Sequence, residues 1–416
     1  MLPDLSPRDS RRATVALWVG TAAAYADMYL TQPILPLLSK EFGIGPARAG
    51  LSVSAVVLSI ALASGLHGPL SDVLGRRRVM AGSLALLALP TLGCGLAPTF
   101  PALLALRAAQ GLLVPGMTAV AVAYAGDLFP ARRIPAAVGG IIAASVAGGL
   151  GGRLASGLVA SAFGWRAACF VAAGWTLLAA AAVAAAPRSP APERAESAES
   201  FLAGFVASWR GMLGHLAEPR LLGTFLVGLA LFLGWIAIFT YLPYHLDAAP
   251  YRLSTAGVSW VYAVYLAGVV VSPLAGRMAG SVPPRRVIGF GLALAAIASL
   301  ATLATPLWAV VTALVLFTLG MFTAQAVAPG YVNASARTAK GGASALYLTF
   351  YYVGGALGSW LPGLAFARWE WRGVVGCSVA SLALAMIANA TLCGAPLRAS
   401  PASRPDRAVA RTSAPR

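Results

Sequence analysis

Charge is what this chain has least of. Charged residues make up 10% of its 416 amino acids, against about a quarter in a soluble domain, so a water-exposed globule of this length is excluded. Carboxylates are rarest: there are thirteen, and only Asp27 falls well inside a long apolar run. Histidine occurs three times, and His67 and His245 stand near expected helix ends, where a lone histidine is more often structural than a ligand. The four cysteines, Cys94, Cys169, Cys377 and Cys393, lie singly in apolar runs without metal-ligand spacing and read as small core residues. An enzyme embedded in a membrane needs a His/Asp/Glu or Cys/His cluster at one depth, and the sequence offers none. No glycine-rich loop follows a strand, so no phosphate cradle is expected. Catalytic residues, a metal and a cofactor are therefore not expected. A sensor is disfavoured because no segment is long enough for a soluble output domain.

What is abundant is apolar: 59% of residues are hydrophobic and 45 are glycine, the composition of a chain with many membrane spans. A membrane helix needs roughly 20 apolar residues. Such runs lie near 14–38, 49–67, 79–96, 100–122, 136–161 and 165–186, then near 221–245, 254–276, 287–304, 306–331, 342–365 and 371–394. The net charge of +17 suggests nucleic acid only until its placement is considered. Twelve spans with both ends inside put twenty-two of the thirty Lys and Arg on the cytoplasmic side, six outside, and two, Arg107 and Arg153, within helices. That asymmetry is the positive-inside bias, with attraction to the lipid bilayer's anionic headgroups as a by-product. No nucleic-acid partner is expected.

The chain divides into a cytoplasmic tail (1–13), a first six-helix bundle (14–186), a cytoplasmic linker (187–220), a second bundle (221–394) and a cytoplasmic tail (395–416) expected to be disordered. Within the linker, Phe201, Phe205, Trp209 and Leu213 suggest a short surface helix over 201–216. Arginine outnumbers lysine twenty-eight to two and alanine is abundant, which points to a GC-rich bacterial genome and hence an inner membrane.

The two bundles are related. Gly148-Gly149, Gly152, Gly157 and Trp165-Arg166 match Gly354-Gly355, Gly358, Gly363 and Trp371-Arg372, every pair offset by 206 residues without a gap. Pro69-Leu70 to Arg77-Arg78-Val79 has a fainter echo in Pro273-Leu274 to Arg285-Arg286-Val287. Such a parallel repeat builds a central site between halves that rock about it.

The segment Gly68-Pro-Leu-Ser-Asp72-Val-Leu-Gly75-Arg76-Arg77-Arg78 and the segment Leu106-Arg107-Ala-Ala-Gln110-Gly111 resemble the two signatures of the major facilitator superfamily. Gln32-Pro33 through Gly43, Gly152-Arg153-Leu-Ala-Ser156-Gly157 and Lys340 through Leu348 resemble its YnfM, or acriflavine-sensitivity, branch of drug:proton antiporters. The resemblance covers nearly the whole chain. It implies an all-α membrane protein with twelve transmembrane helices in two six-helix pseudo-symmetric bundles. The implied activity is proton-coupled export of drug-like or metabolite molecules by alternating access, with protons as coupling ion and a monomer as the working unit. Sugar or metabolite exchange without proton coupling is the alternative. The antiporter pattern of helix 5 carries a proline where this chain has Arg153, and a glycine where it has Ser156, which weakens that motif.

Three groups of side chains carry the expected chemistry. Asp27, with Arg107 and Arg153, is the candidate for proton coupling, because a carboxylate at membrane depth is costly when ionised and unpaired. Its bland reading is a hydrogen-bonded helix-packing residue; for Arg107 the bland reading is snorkelling to the outer interface. Gly68, Asp72, Gly75, Arg76 and Asp127 form the candidate cytoplasmic gate. There Gly68 would permit close helix packing, Gly75 a positive-φ turn, and Asp72 a latch between the halves. Asp127 is expected to pair with Arg132, Arg133 or the first loop. Tyr25, Gln32, Gln110, Trp235, Phe239, Tyr265, Gln325, Tyr347 and Tyr351 are the candidates for a cavity that takes flat, partly apolar and even cationic solutes.

Overall fold

The computed structural model describes residues 6–189, 214–336 and 340–394. Among these residues, ten segments are long and apolar enough to cross a membrane. One of them, 341–391, is two helices joined at Glu370, and a further helix starts at Pro7, which gives twelve. In the first half, α1 runs over Pro7–Tyr29, a 3-10 turn at Gln32–Ile34, and Leu35–Phe42. It is followed by α2 (Pro46–Leu74), α3 (Arg76–Leu96), α4 (Phe100–Leu113, Pro115–Thr118 and Ala121–Leu128), α5 (Ile134–Phe163) and α6 (Trp165–Ala184). The second half holds α7 (Pro219–Asp247), α8 (Thr255–Val261, a 3-10 turn Tyr262–Tyr265, and Leu266–Ser281), α9 (Pro284–Ala301), α10 (Leu307–Ser335), α11 (340–369) and α12 (371–391).

The first helix begins earlier than expected. Ser6 caps it, its Oγ accepting from the Asp9 amide, and Pro7 opens the first turn, so most of the anticipated tail is helix. Prolines also explain two interruptions. Pro33 has no N–H to give and crowds the carbonyl four residues back, where α1 tightens to a 3-10 turn; Pro115 stands at the break of α4. Of the surface helix expected over 201–216, only the end lies within the described residues, as a 3-10 helix at Gly214–Ala217. The tail 395–416 lies outside them.

The repeated glycines are where helices touch backbone to backbone. A Cβ on Gly148 would lie 2.2 Å from the Ala22 carbonyl oxygen, and one on Gly354 would lie 2.0 Å from that of Leu229. Each therefore packs its helix onto the first helix of its own half, α5 on α1 and α11 on α7. The later pair serves a different purpose. Gly157 faces Ser259 and Thr255 of α8, while Gly363 faces Ala47 of α2, so both lie at seams between the halves. The same offset links Gly164, at φ 85°, to Glu370, at φ 48°. The turn between fifth and sixth helices is repeated, but the second copy places a side chain in the left-handed region.

Candidate transport site

Among the described residues, the polar contacts between the halves gather toward one end. Taking the Arg76–Arg78 turn to mark the near end, the hydrogen bonds and ion pairs between halves among the described residues run from the middle of the bundle, where the Tyr25 and Tyr352 hydroxyls meet, toward the far end. Ser54 Oγ donates to the Ala356 carbonyl (2.8 Å) and lies 2.6 Å from Ser359 Oγ, joining α2 to α11. Ser39 Oγ is 2.6 Å from Tyr244 Oη, which also donates to the Leu35 carbonyl. Gln32 Nε2 donates to Thr240 Oγ1 (3.1 Å), and Lys40 stands 4.0 Å from Asp247 at the rim.

Behind this seam, at the middle of α5, sits Arg153, buried. Its guanidinium donates to the Gln32 side-chain oxygen and to the Gly149 carbonyl, both at 2.7 Å. Three rings surround it: Tyr29 of its own half at 3.8 Å, and Tyr265 and Tyr262 of the second half at 4.7 and 5.4 Å from the ring centres. Each ring face attracts the cation through its quadrupole. Gln32 thus links Arg153 on one side to Thr240 on the other. Tyr265 accepts from the Trp235 indole N–H (2.6 Å), and Trp235 meets Phe322 edge-on at 4.6 Å. On the near side, half-buried Tyr25, Tyr29, Tyr351 and Tyr352 line the place where the halves diverge. Tyr351 stacks on Phe232 at 3.9 Å.

Asp27 belongs to a separate cluster inside the first half. Its carboxylate accepts from Thr91 Oγ1 (2.5 Å) and Gln110 Nε2 (2.7 Å), and Arg107 Nη1 is 3.9 Å away. Arg107 is fully buried. It donates to the carbonyls of Ser52 (3.1 Å), Asp27 (3.0 Å) and Met28 (2.7 Å) and to Gln110 Oε1 (2.8 Å). The α1 interruption at Gln32–Ile34 frees helix carbonyls just before it, and Arg107 takes them up. No contact of Asp27 reaches the second half.

This geometry corrects several expectations. Asp27 does not face a central void, because hydrogen-bond donors on α3 and α4 hold it within its own bundle. Gln110 is not a cavity residue; its amide is used in bonding Asp27, Thr91 and Arg107. Arg107 does not snorkel, since backbone carbonyls satisfy it in place. Phe239 and Tyr347 are buried within the second half, Phe239 against Tyr262, Tyr265 and Phe317, and Tyr347 on Gly228 with its hydroxyl 3.3 Å from Gln325. Gln32 and Tyr265 lie in the seam rather than on an open wall, and Trp235 packs behind Tyr265 within the second half.

At the near end Arg76 joins two acids, Asp127 at 2.5 Å and Asp72 at 3.4 Å, all in the first half. Asp72 therefore does not latch one half to the other here, and Asp127 pairs with the first loop rather than Arg132 or Arg133. Gly75, at φ 90° and ψ 131°, makes the turn that swings Arg76 toward both acids. Nothing lies within 4 Å of a Cβ on Gly68, so the close packing expected there is absent. Arg77 Nη1 donates to the carbonyls of Ala184 and Ala186 at the end of α6. Thr91 and Thr240 complete these contacts, and a lone threonine in an apolar run leaves no periodic signal in the sequence.

Comparison with known proteins agrees with this architecture. Residues 17–258 and 225–415 match the family described as Major Facilitator Superfamily. The uncharacterized MFS-type transporter YybF of Bacillus subtilis (strain 168) is 30% identical over 376 residues, covering 90% of this chain and 92% of that one. This chain belongs to the Major Facilitator Superfamily. The superfamily member is also 32% identical over 390 residues to the inner membrane transport protein YnfM of Escherichia coli (strain K12), with 92% and 90% of the two chains covered. Its fold matches a bacterial homolog of the human lysosomal transporter Spinster, solved inward-facing and unoccupied, with a TM-score of 0.75 at 18% identity over 94% and 97% of the chains. It also matches the inward-open xylose transporter XylE of E. coli, with a TM-score of 0.72 at 16% identity over 91% and 95%. The chain is thus an MFS-type membrane transporter, and not an enzyme.

Proposed function

We propose that this transporter moves small organic solutes across a bacterial inner membrane by alternating access, and that it stands here open to the cytoplasm. The observation that carries this reading is the one-sided seam. The bonds between halves gather toward one end, so rocking about the middle would open that end and close the other. The arginine-rich near end is assigned to the cytoplasm by the positive-inside bias. Fixing the far seam shut tests the reading. Cysteines at Ser39 and Tyr244, in a variant lacking the four native cysteines, are joined by a short bismaleimide in cells overproducing the protein. A panel of toxic compounds identifies one to which the uncross-linked protein gives tolerance, and cross-linking should abolish that tolerance. Retained tolerance in the cross-linked protein would refute alternating access.

The form of transport proposed first is proton-coupled export, as the resemblance to drug:proton antiporters implies. Among the described residues Asp27 is the one acid buried deep inside a span, and its cluster supports the reading. Arg107 binds both that carboxylate's surroundings and the carbonyls freed beside the α1 interruption, so a proton on Asp27 would alter the forces on the bend. The second reading, exchange without protons, is favoured by the absence of any Asp27 contact with the seam. In proteoliposomes loaded with a panel substrate, Asp27→Asn should remove the dependence of flux on a pH gradient while leaving downhill exchange. An unchanged response in the variant would remove Asp27 from the coupling, and no response in the unaltered protein would leave the second reading standing.

A further inference from the structure

The two buried arginines are neutralised to very different degrees. Arg107 spends its donors on three carbonyls and an amide oxygen, and it has Asp27 beside it. Arg153 has hydrogen bonds to neutral partners, the Gln32 and Gly149 oxygens and the Tyr29 hydroxyl, and three neutral rings. Among the described residues no carboxylate lies within ion-pair distance of it. An ion withdrawn from water without a countercharge is costly, and ring faces offset only part of that cost. The surrounding wall is also one-signed. Tyr25, Tyr29, Tyr351, Tyr352 and Gln325 are uncharged, so a cationic solute arriving there would meet one cation and no anion.

We infer that the missing countercharge comes with the solute: Arg153 anchors the carboxylate, or an equivalent single negative charge, of a flat apolar organic anion. This rests on the transport reading above and narrows it to a substrate class. Arg153 is placed for the task in both states of the cycle. Gly149 and Gln32 hold the guanidinium from its own half, whereas Tyr262 and Tyr265 belong to the other. Opening the far end would carry those two rings and Thr240 away, leaving the cation presented to the outer vestibule on a fixed mount. From the near side the Gly149 carbonyl and ring faces, chiefly half-exposed Tyr29, cover it, and a carboxylate forms a fork-to-fork pair that a ring cannot match. The ring-lined wall then supplies stacking surface for the solute body.

The anion therefore competes with closure of the far seam, which ties binding to the cycle. Solute on Arg153 replaces the cation–π contacts that hold the halves together, and solute leaving restores them. A cationic drug would receive no such coupling.

Calorimetric titration of the purified full-length protein in lipid nanodiscs tests the assignment, with three probes of one shape: 2-naphthoate, 2-naphthol and 2-naphthylmethylamine. The acid should bind at least tenfold more tightly than the alcohol, and the amine should fail to compete with it. Arg153→Gln should lower affinity for the acid at least tenfold, and Arg153→Lys by less, since the charge remains but the fork is lost. A preference for the amine, equal affinity of Arg153→Gln for the acid, or no binding by any probe would overturn the inference. None of these outcomes depends on cycling, so the cross-linking experiment judges alternating access separately.

Discussion

Gly50 offers the sharpest test of how the far seam closes. It lies on α2, buried against α11, and a Cβ there would stand 2.0 Å from the Ser359 carbonyl oxygen and 2.7 Å from Tyr241 Oη. The first neighbour is backbone and cannot rotate aside. For Gly50→Ala the contact must grow from 2.0 Å to the 3.4 Å at which ordinary packing begins, a parting of about 1.4 Å. Ser54, one turn along the same face, would lose its contacts at 2.8 Å to the Ala356 carbonyl and 2.6 Å to Ser359 Oγ, since a bond stretched that far is no longer one. Two hydrogen bonds at about 0.5–1.5 kcal/mol each amount to ~1–3 kcal/mol, or roughly 5- to 140-fold in the ratio of closed to open. Spin labels at Arg48 and Arg368, both exposed at the far ends of α2 and α11, would read the result as a distance distribution. Gly50→Ala should add a longer component and deplete the short one. Gly148→Ala, which clashes with Ala22 inside one half, should lower thermal stability and leave the distribution alone. A Gly50→Ala distribution identical to that of the unaltered protein would refute the claim that bare backbone contact sets the closed state.

Further outcomes follow from the two turns that carry unusual backbone or charge. Asp127→Asn should slow flux more than Asp72→Asn, because the Asp127 side chain is 27% exposed and that of Asp72 57%. Both should cost under ~1 kcal/mol of stability, as partly solvated ion pairs do, and equal fluxes in the two variants would contradict the ranking. Glu370→Gly should raise the melting temperature of the purified protein. A side chain at φ 48° costs ~1–2 kcal/mol, of which the added freedom of glycine in the unfolded chain returns ~0.5–1 kcal/mol. A melting temperature unchanged or lowered would show that Glu370 makes a compensating contact.

The fold was legible because a bilayer leaves few choices. Runs of apolar residues separated by arginine-rich turns must become spanning helices, and the 206-residue offset from Gly148 to Gly354 and from Trp165 to Trp371 reports two copies of one bundle. What the residues did not reveal was facing. In water a helix shows its buried side by polarity, whereas here lipid, neighbouring helix and opposite half are all apolar environments. Phe239 and Tyr347 therefore looked like cavity walls but pack within their own half, and Gln110 looked like a substrate contact but binds Asp27. Glycine was the better guide: Gly157 and Gly363 marked the seams because only a missing Cβ tolerates such closeness. Arg153 stood out as a departure from a familiar pattern, yet its aromatic surroundings come from α1 and α8, more than a hundred residues away in either direction.

Arg77 deserves its own reckoning as a fastener. The three consecutive arginines after Gly75 serve as a charge label for one face of the membrane, a task any cation performs. Yet Arg77 also grips the last carbonyls of α6 through a single nitrogen, and Tyr124 bonds the Pro187 carbonyl next door. The chain leaving α6 is therefore tied to the first half as far as Pro187. Replacing Arg77 with lysine would keep the label and loosen this tie at the end of the first half, because the guanidinium fork is lost.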